Sequence, residues 1–202
     1  MHPNRAFGWD DRQAMLEFVA TRGFAHIFTA DMDGQFVAHA PVVVTDDGRV
    51  QFHVSRRNRA AGQFAGRPVL VSVSGRDAYH SANWYVSHDQ VPTWLYEAVE
   101  IEGEARQLNE AELIAQLDRL TDVMERRWSP QAPWTRAKMT PGKFEAMVKA
   151  IVGFEVEPAA IRGTRKFDQH KLAVDRDAIV DGQRGAGRDD IAAAIRDITR
   201  TS

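Results

Sequence analysis

The chain has 202 residues, no cysteine, and a formal net charge of −2 from balanced acids and bases. That length suits one principal domain whose core needs no cross-link, and the missing cysteine excludes disulfides, thiolate metal sites, iron–sulfur clusters and cysteine nucleophiles. With no signal-peptide core at the N-terminus, no apolar run near the roughly 20 residues of a membrane span and no concentrated basic composition, a cytoplasmic protein without membrane or direct DNA contact is expected.

Asp10, with Gln13 three residues on, predicts a helix start; Ala14, Met15, Phe18 and Val19 supply the helical stripe and Gly23 the stop. Strands are predicted over 24–30 and 35–44 around a turn at 31–34, and over 49–54 after a turn at 46–48. Residues 55–66 read as a basic loop running into a short helix. The apolar run 68–75 reads as a strand buried on both faces. From Ala98 the alternation is strict, with Val99, Ile101, Gly103 and Ala105 on one side and Glu100, Glu102 and Glu104 on the other. Asn109 and Glu112 cap a helix carrying Leu113, Ile114, Leu117, Leu120 and Met124. Residues 129–134 break the pattern, 142–151 are helical, and 152–167 return to strand. Two short helices, near 175–181 and 189–200, flank "GQRGAGR", which matches neither G-x-G-x-x-G nor a P-loop and reads as a flexible linker. Hairpin-linked strands with later helices predict an α+β, mainly β fold: an antiparallel barrel or sheet with helices packed outside.

Three groups of residues carry chemistry. His39, His53, His80 and His88 lie on separate elements at no ligand spacing, so no metal site is predicted; His39 and His53 fall inside apolar strand patterns and are expected inward, in need of partners. The segment "HVSRRNRAAG" delivers Ser55, Arg56, Arg57, Asn58 and Arg59 to a helix start, an arrangement suited to a phosphate, the alternative being a solvated loop with an Asn cap. Finally, Trp84, Tyr85, Trp94 and Tyr96 crowd into thirteen residues, interleaved with Ser81-Ala82-Asn83 and Pro92-Thr93. They read either as a core cluster or as a wall of half-exposed rings for a flat, conjugated ligand.

The stretches "AHAPVVV", "FHVSRRNRAAGQF", "AYHSANWYVSHDQVPTWLYEAVEIEGEARQL", "LTDVMERRW", "FEAMVKAIVGFEVE" and "RKFDQHK" keep their order across most of residues 5–180. Together they resemble the PaiB-type FMN-binding negative transcriptional regulator family, which is similar to the pyridoxamine-phosphate-oxidase-like split barrels. The resemblance implies an antiparallel six-stranded split β-barrel with peripheral helices over 1–180, followed by a linker and short helix over 181–202. It also implies a homodimer with FMN at each of two symmetric interface sites. Carried over by position, His53, Val54, Ser55, Arg57 and Asn58 hold the FMN phosphate and ribityl chain. Trp84, Tyr85, Thr93, Trp94 and Tyr96 flank the isoalloxazine, from either subunit, and Lys166 and Gln169 complete the cofactor site.

Some positions depart from the family pattern: Leu95 stands where Asn is usual, Ser81-Ala82-Asn83 where Ser-Pro-Ser is favoured, Asp168 where Ser is common and His170 where Asn is common. The change at 95 bears on cofactor geometry or ligand preference, because leucine cannot hydrogen-bond. As function, the resemblance implies an FMN-loaded regulator. The absence of a helix-turn-helix pattern, and a last helix that opens on two acids, make an indirect effect on gene expression the expectation. The alternatives are an FMN-dependent oxidoreductase acting on a small molecule, with no catalytic residue identified, and a cofactor-free interaction dimer on the same scaffold.

Overall fold

A computed structural model describes residues 2–32 and 34–200, the side chains at 199 and 200 excepted; Asp33 of the 31–34 turn and the last two residues of the tail lie outside the described residues. In chain order the elements are β1 (Gly8–Trp9), α1 (Arg12–Arg22), β2 (Phe24–Asp31), β3 (Gly34–Val44), β4 (Val50–Ser55), β5 (Arg67–His80), β6 (Thr93–Gln107), α2 (Glu110–Trp128), α3 (Lys143–Val148), β7 (Ile151–Val156), β8 (Ala160–Lys166), α4 (Ala173–Gly185) and α5 (Asp189–Arg200). The strand order is β1-β8-β6-β5-β2-β3-β4-β7, and β6 pairs additionally with β7. That extra pairing closes six strands, β2-β3-β4-β7-β6-β5, into the circuit expected of a barrel, with β8 and β1 continuing outward from β6.

The chain divides into two compact units, and β5, β6 and β8 contribute residues to both. The barrel unit comprises Arg12–Val73 and Glu100–Ile161. Its β2–β3, β2–β5, β3–β4, β4–β7 and β6–β7 pairings are all antiparallel. Alternation sets the core: Ala25 and Ile27 of β2, Ala38, Ala40 and Val42 of β3, and Val99, Ile101 and Ala105 of β6 are buried, as β6's pattern predicts. Phe52, Phe64 and Phe154 meet at the centre with ring centroids 5.3 Å apart. Gly23 ends α1 as expected, at φ 63°, its N–H donating to Val19 O at 2.9 Å. The predicted capping box of α2 is present: Glu112 N donates to Asn109 Oδ1 at 3.0 Å and Asn109 N to Glu112 Oε2 at 2.8 Å.

Three expectations in this unit are corrected. Helix α1 starts at Arg12, and Gln13 bonds Glu17 one turn on instead of closing a capping box. Strand β5 is buried on one face only: Val69, Val71 and Val73 are inside, whereas Leu70 and Ser72 are half-buried. His39 points outward and is exposed, because the small Ala38 and Ala40 beside it take the core positions. Opposite it in the register stands His26, the two Nδ1 atoms 2.6 Å apart.

The helical unit comprises Met1–Asp11, Ser74–Val99 and Arg162–Ser202. β1 pairs antiparallel with β8, Gly8 opposite Thr164 and Trp9 opposite Gly163. Its core joins Ala78, Leu95 and Phe167 to Ile179 and Val180 of α4 and to Ile191, Ala192, Ala194 and Ile195 of α5. Here "GQRGAGR" differs from the linker reading, because α4 runs on through Gly185. No helix among the described residues is long and apolar enough to cross a membrane.

Candidate functional site

In the barrel unit, the predicted phosphate-side residues sit where β4 runs out into a tight turn. Val54 is buried opposite Val152, so only its backbone faces the strand ladder. His53 is half-buried, its Nδ1 3.2 Å from Oε1 of the fully buried Gln116 on α2. Burial pushes the His53 pKa down, and the Gln116 contact opposes this in part.

The turn itself engages most of its backbone donors. Arg56 N donates to Ala150 O, Arg57 N to Ser55 Oγ at 3.2 Å, Asn58 N to Ser55 O, and Ala60 N to Asn58 Oδ1 at 2.9 Å. The helix start expected here is a single 3-10 turn, Ala61–Gln63, too short to add a helix-end field. Anion binding at this turn therefore falls to side chains. Arg56 Nε is held by Lys149 O at 2.9 Å, and Arg59 lies over the Phe36 ring while donating to Gln35 O. Arg57 is exposed, and its guanidinium has no partner among the described residues.

The other predicted residues belong to the helical unit. Trp84 packs on α4 at Gly182, where an added Cβ would lie 2.4 Å from the indole ring; no other residue fits that helix position without moving Trp84. Trp84 and Tyr85 both stack on His80, with centroids 5.8 and 4.6 Å away. Burial pushes the Tyr85 phenol up to about 12, reinforced by the carboxylates of Asp168 and Asp175. Asp175 fixes the following backbone by accepting from Val86 N, Ser87 N and Ser87 Oγ at 3.0, 2.9 and 2.8 Å. These two rings are thus held from beneath rather than loosely presented.

Thr93 and Lys166 are brought together: Lys166 Nζ donates to Thr93 Oγ1 at 2.6 Å. Trp94 is 52% exposed, its Nε1 donating to Asp77 Oδ1 at 3.1 Å and its ring edge-on to Tyr79. Tyr96 follows on the same face of β6, half-buried. Leu95, between them, points the opposite way into the apolar core and is fully buried. Gln169 is committed elsewhere: its Oε1 accepts from Phe167 N at 2.9 Å, and its Nε2 donates to Ala6 O at 2.8 Å and Arg165 O at 2.6 Å. That side chain ties the N-terminal segment to the end of β8.

Sequence reasoning passed over the residues beneath the rings. His80 and Asp168 are both fully buried, His80 Nδ1 2.7 Å from Asp168 Oδ2. The approach is close but off the hydrogen-bond line, so both side chains keep buried polar atoms without an aligned partner among the described residues. Asp168 also adopts φ 57°, a left-handed conformation that Asp tolerates better than most residues. The signal for His80 lay in the parity of β5, whose buried positions shift from odd at Val69, Val71 and Val73 to even at Ala78 and His80.

Residues 1–159 match the family described as "Putative FMN-binding domain". Among curated proteins, "Protease synthase and sporulation protein PAI 2" of Bacillus subtilis (strain 168) is 28% identical over 179 residues, covering 87% of this chain and 85% of that protein. In fold, the chain is similar to the flavocytochrome Anf3 of Azotobacter vinelandii, with TM-score 0.61 and 16% identity over 82% of this chain and 72% of the other. It is likewise similar to an FAD and heme binding protein of Mycobacterium smegmatis, with TM-score 0.57 and 15% identity over 79% and 73% of the two chains.

Proposed function

Because the chain belongs to the FMN-binding family matched by residues 1–159, the PaiB type, we propose that it works as a cytoplasmic, FMN-loaded homodimer that acts on gene expression indirectly. Its cofactor is FMN. The donor set fits that group: a free guanidinium at Arg57 beside the Ser55 hydroxyl and the Asn58 amide suits a phosphate, and half-exposed rings with a lysine suit a flavin ring system. The observation that carries the reading is Arg57, the cation its turn leaves free among the described residues while Arg56 and Arg59 are tied to carbonyls.

Bound FMN supplies electron-transfer chemistry, whereas the protein supplies binding, orientation and electrostatics. In the barrel unit Arg57 offers a charge for a phosphate; the helical unit, taken by itself, offers the Trp94 ring face and the positive charge of Lys166, held by Thr93. The homodimer is supported by the outward face of the β2–β3 hairpin, where Phe24, Phe28 and Val37 are exposed. Beside them lies a cavity of about 430 Å³ lined by Phe28, Phe36, Pro68 and Leu70. An apolar face of that kind suits a second copy of the chain. Indirect action is supported by α5, which opens on Asp189 and Asp190 and buries its apolar side in its own unit; those acids would repel a DNA phosphate.

Trp94→Ala is expected to weaken FMN binding about tenfold while the mass in solution stays that of the dimer. Flavin content after gel filtration checks this. Unchanged retention would place Trp94 outside the ring contacts. Turnover of an acceptor with NADH or NADPH, rather than stoichiometric flavin reduction, would move the reading to an oxidoreductase.

A further inference from the structure

Helix α2 turns a core-facing stripe onto the barrel unit, and that stripe contains one residue that apolar packing does not explain. Leu113 is buried where the stripe begins, and Gln116, one turn on, is completely buried as well. Its Oε1 meets His53 Nδ1 at 3.2 Å, while its Nε2 is buried with no partner among the described residues. A half-satisfied buried amide is destabilising relative to an apolar side chain of similar volume. Leucine or methionine would fill the same space and remove the orphaned Nε2, but would leave His53 Nδ1 without its partner. The group that this glutamine touches is His53.

An amide oxygen only accepts, so a bond from Gln116 Oε1 requires the proton of His53 to sit on Nδ1. The other ring nitrogen, Nε2, then carries a lone pair. We propose that Gln116 is a positioning residue that fixes this tautomer, making His53 a neutral acceptor for a ribityl hydroxyl of FMN rather than a cation for its phosphate. The lowered pKa of His53, caused first by burial, agrees with an uncharged ring at neutral pH. A lone pair opposes phosphate oxygens, which are acceptors themselves, and suits a hydroxyl donor. The phosphate charge is then left to Arg57. The ribityl part of this inference rests on the FMN reading above; the tautomer does not.

The test uses the full-length protein with 15N-labelled histidine, compared with Gln116→Leu, and with Gln116→Met in case the first variant folds poorly. Long-range 1H–15N spectra of the flavin-free protein at pH 7 report which ring nitrogen carries the proton. Wild type is expected to show His53 protonated on Nδ1, and the variants to lose that preference. FMN and riboflavin, titrated separately, are expected to weaken equally, about tenfold each, because both carry the ribityl chain. A wild-type His53 protonated on Nε2, or an unchanged tautomer in the variants, would overturn the role of Gln116. A tautomer change with unaltered flavin affinity would remove the ribityl contact. Wild type that binds neither flavin would instead count against the FMN reading, with the spectra still deciding what Gln116 does.

Discussion

Leu95→Asn is expected to destabilise the protein by about 4 kcal/mol, although asparagine is the residue that the resemblance implies there. In this chain Leu95 is fully buried among Phe167, Ile179, Ile191 and Ile195, whose side chains offer an amide no hydrogen-bond partner. The substitution removes buried apolar volume and adds a polar group that must lose its water. Thermal or urea unfolding followed by circular dichroism reads the effect, and a fall of roughly 10 °C in Tm is the expected scale for a loss of this size. A variant as stable as wild type that also binds FMN more tightly would mean that residue 95 faces the cofactor. Leu95 is therefore a core residue, while its neighbours on β6, Trp94 and Tyr96, face the other way.

Arg57→Glu is expected to weaken FMN binding by about 100-fold and riboflavin binding by no more than a few-fold. The reason is the accounting of donors in the turn after β4. Its N–H groups at 56, 57, 58 and 60 are already bound, and Arg56 and Arg59 are tied to Lys149 O and Gln35 O. Reversing the charge at the remaining guanidinium replaces attraction for a phosphate with repulsion and leaves the ribityl and ring contacts in place. Fluorescence titration of the two flavins separates the outcomes. Equal weakening of both would place Arg57 away from the phosphate.

What could be read from the sequence was what local physics decides. The Asn109–Glu112 capping box, the Gly23 stop and the alternation of β6 each depend on neighbours within a few residues, and each forms as expected. The barrel also emerges, because hairpin-linked strands leave few other arrangements. His39 and Leu70 were misread because strand register, not composition, chose which face met the core. The phosphate turn was legible in its residue types but not in its donors, since only the folded loop shows that its N–H groups are taken. The contacts of Gln169 and Gln116 and the approach of His80 to Asp168 could not be read, because each depends on a partner far away in the chain.

The central claim, an FMN-loaded dimer, is tested most directly by the visible absorption spectrum of the purified protein, with and without added FMN, together with its mass in solution. A yellow protein of dimer mass that keeps FMN through gel filtration is expected. A colourless protein of any mass that ignores added FMN would contradict it.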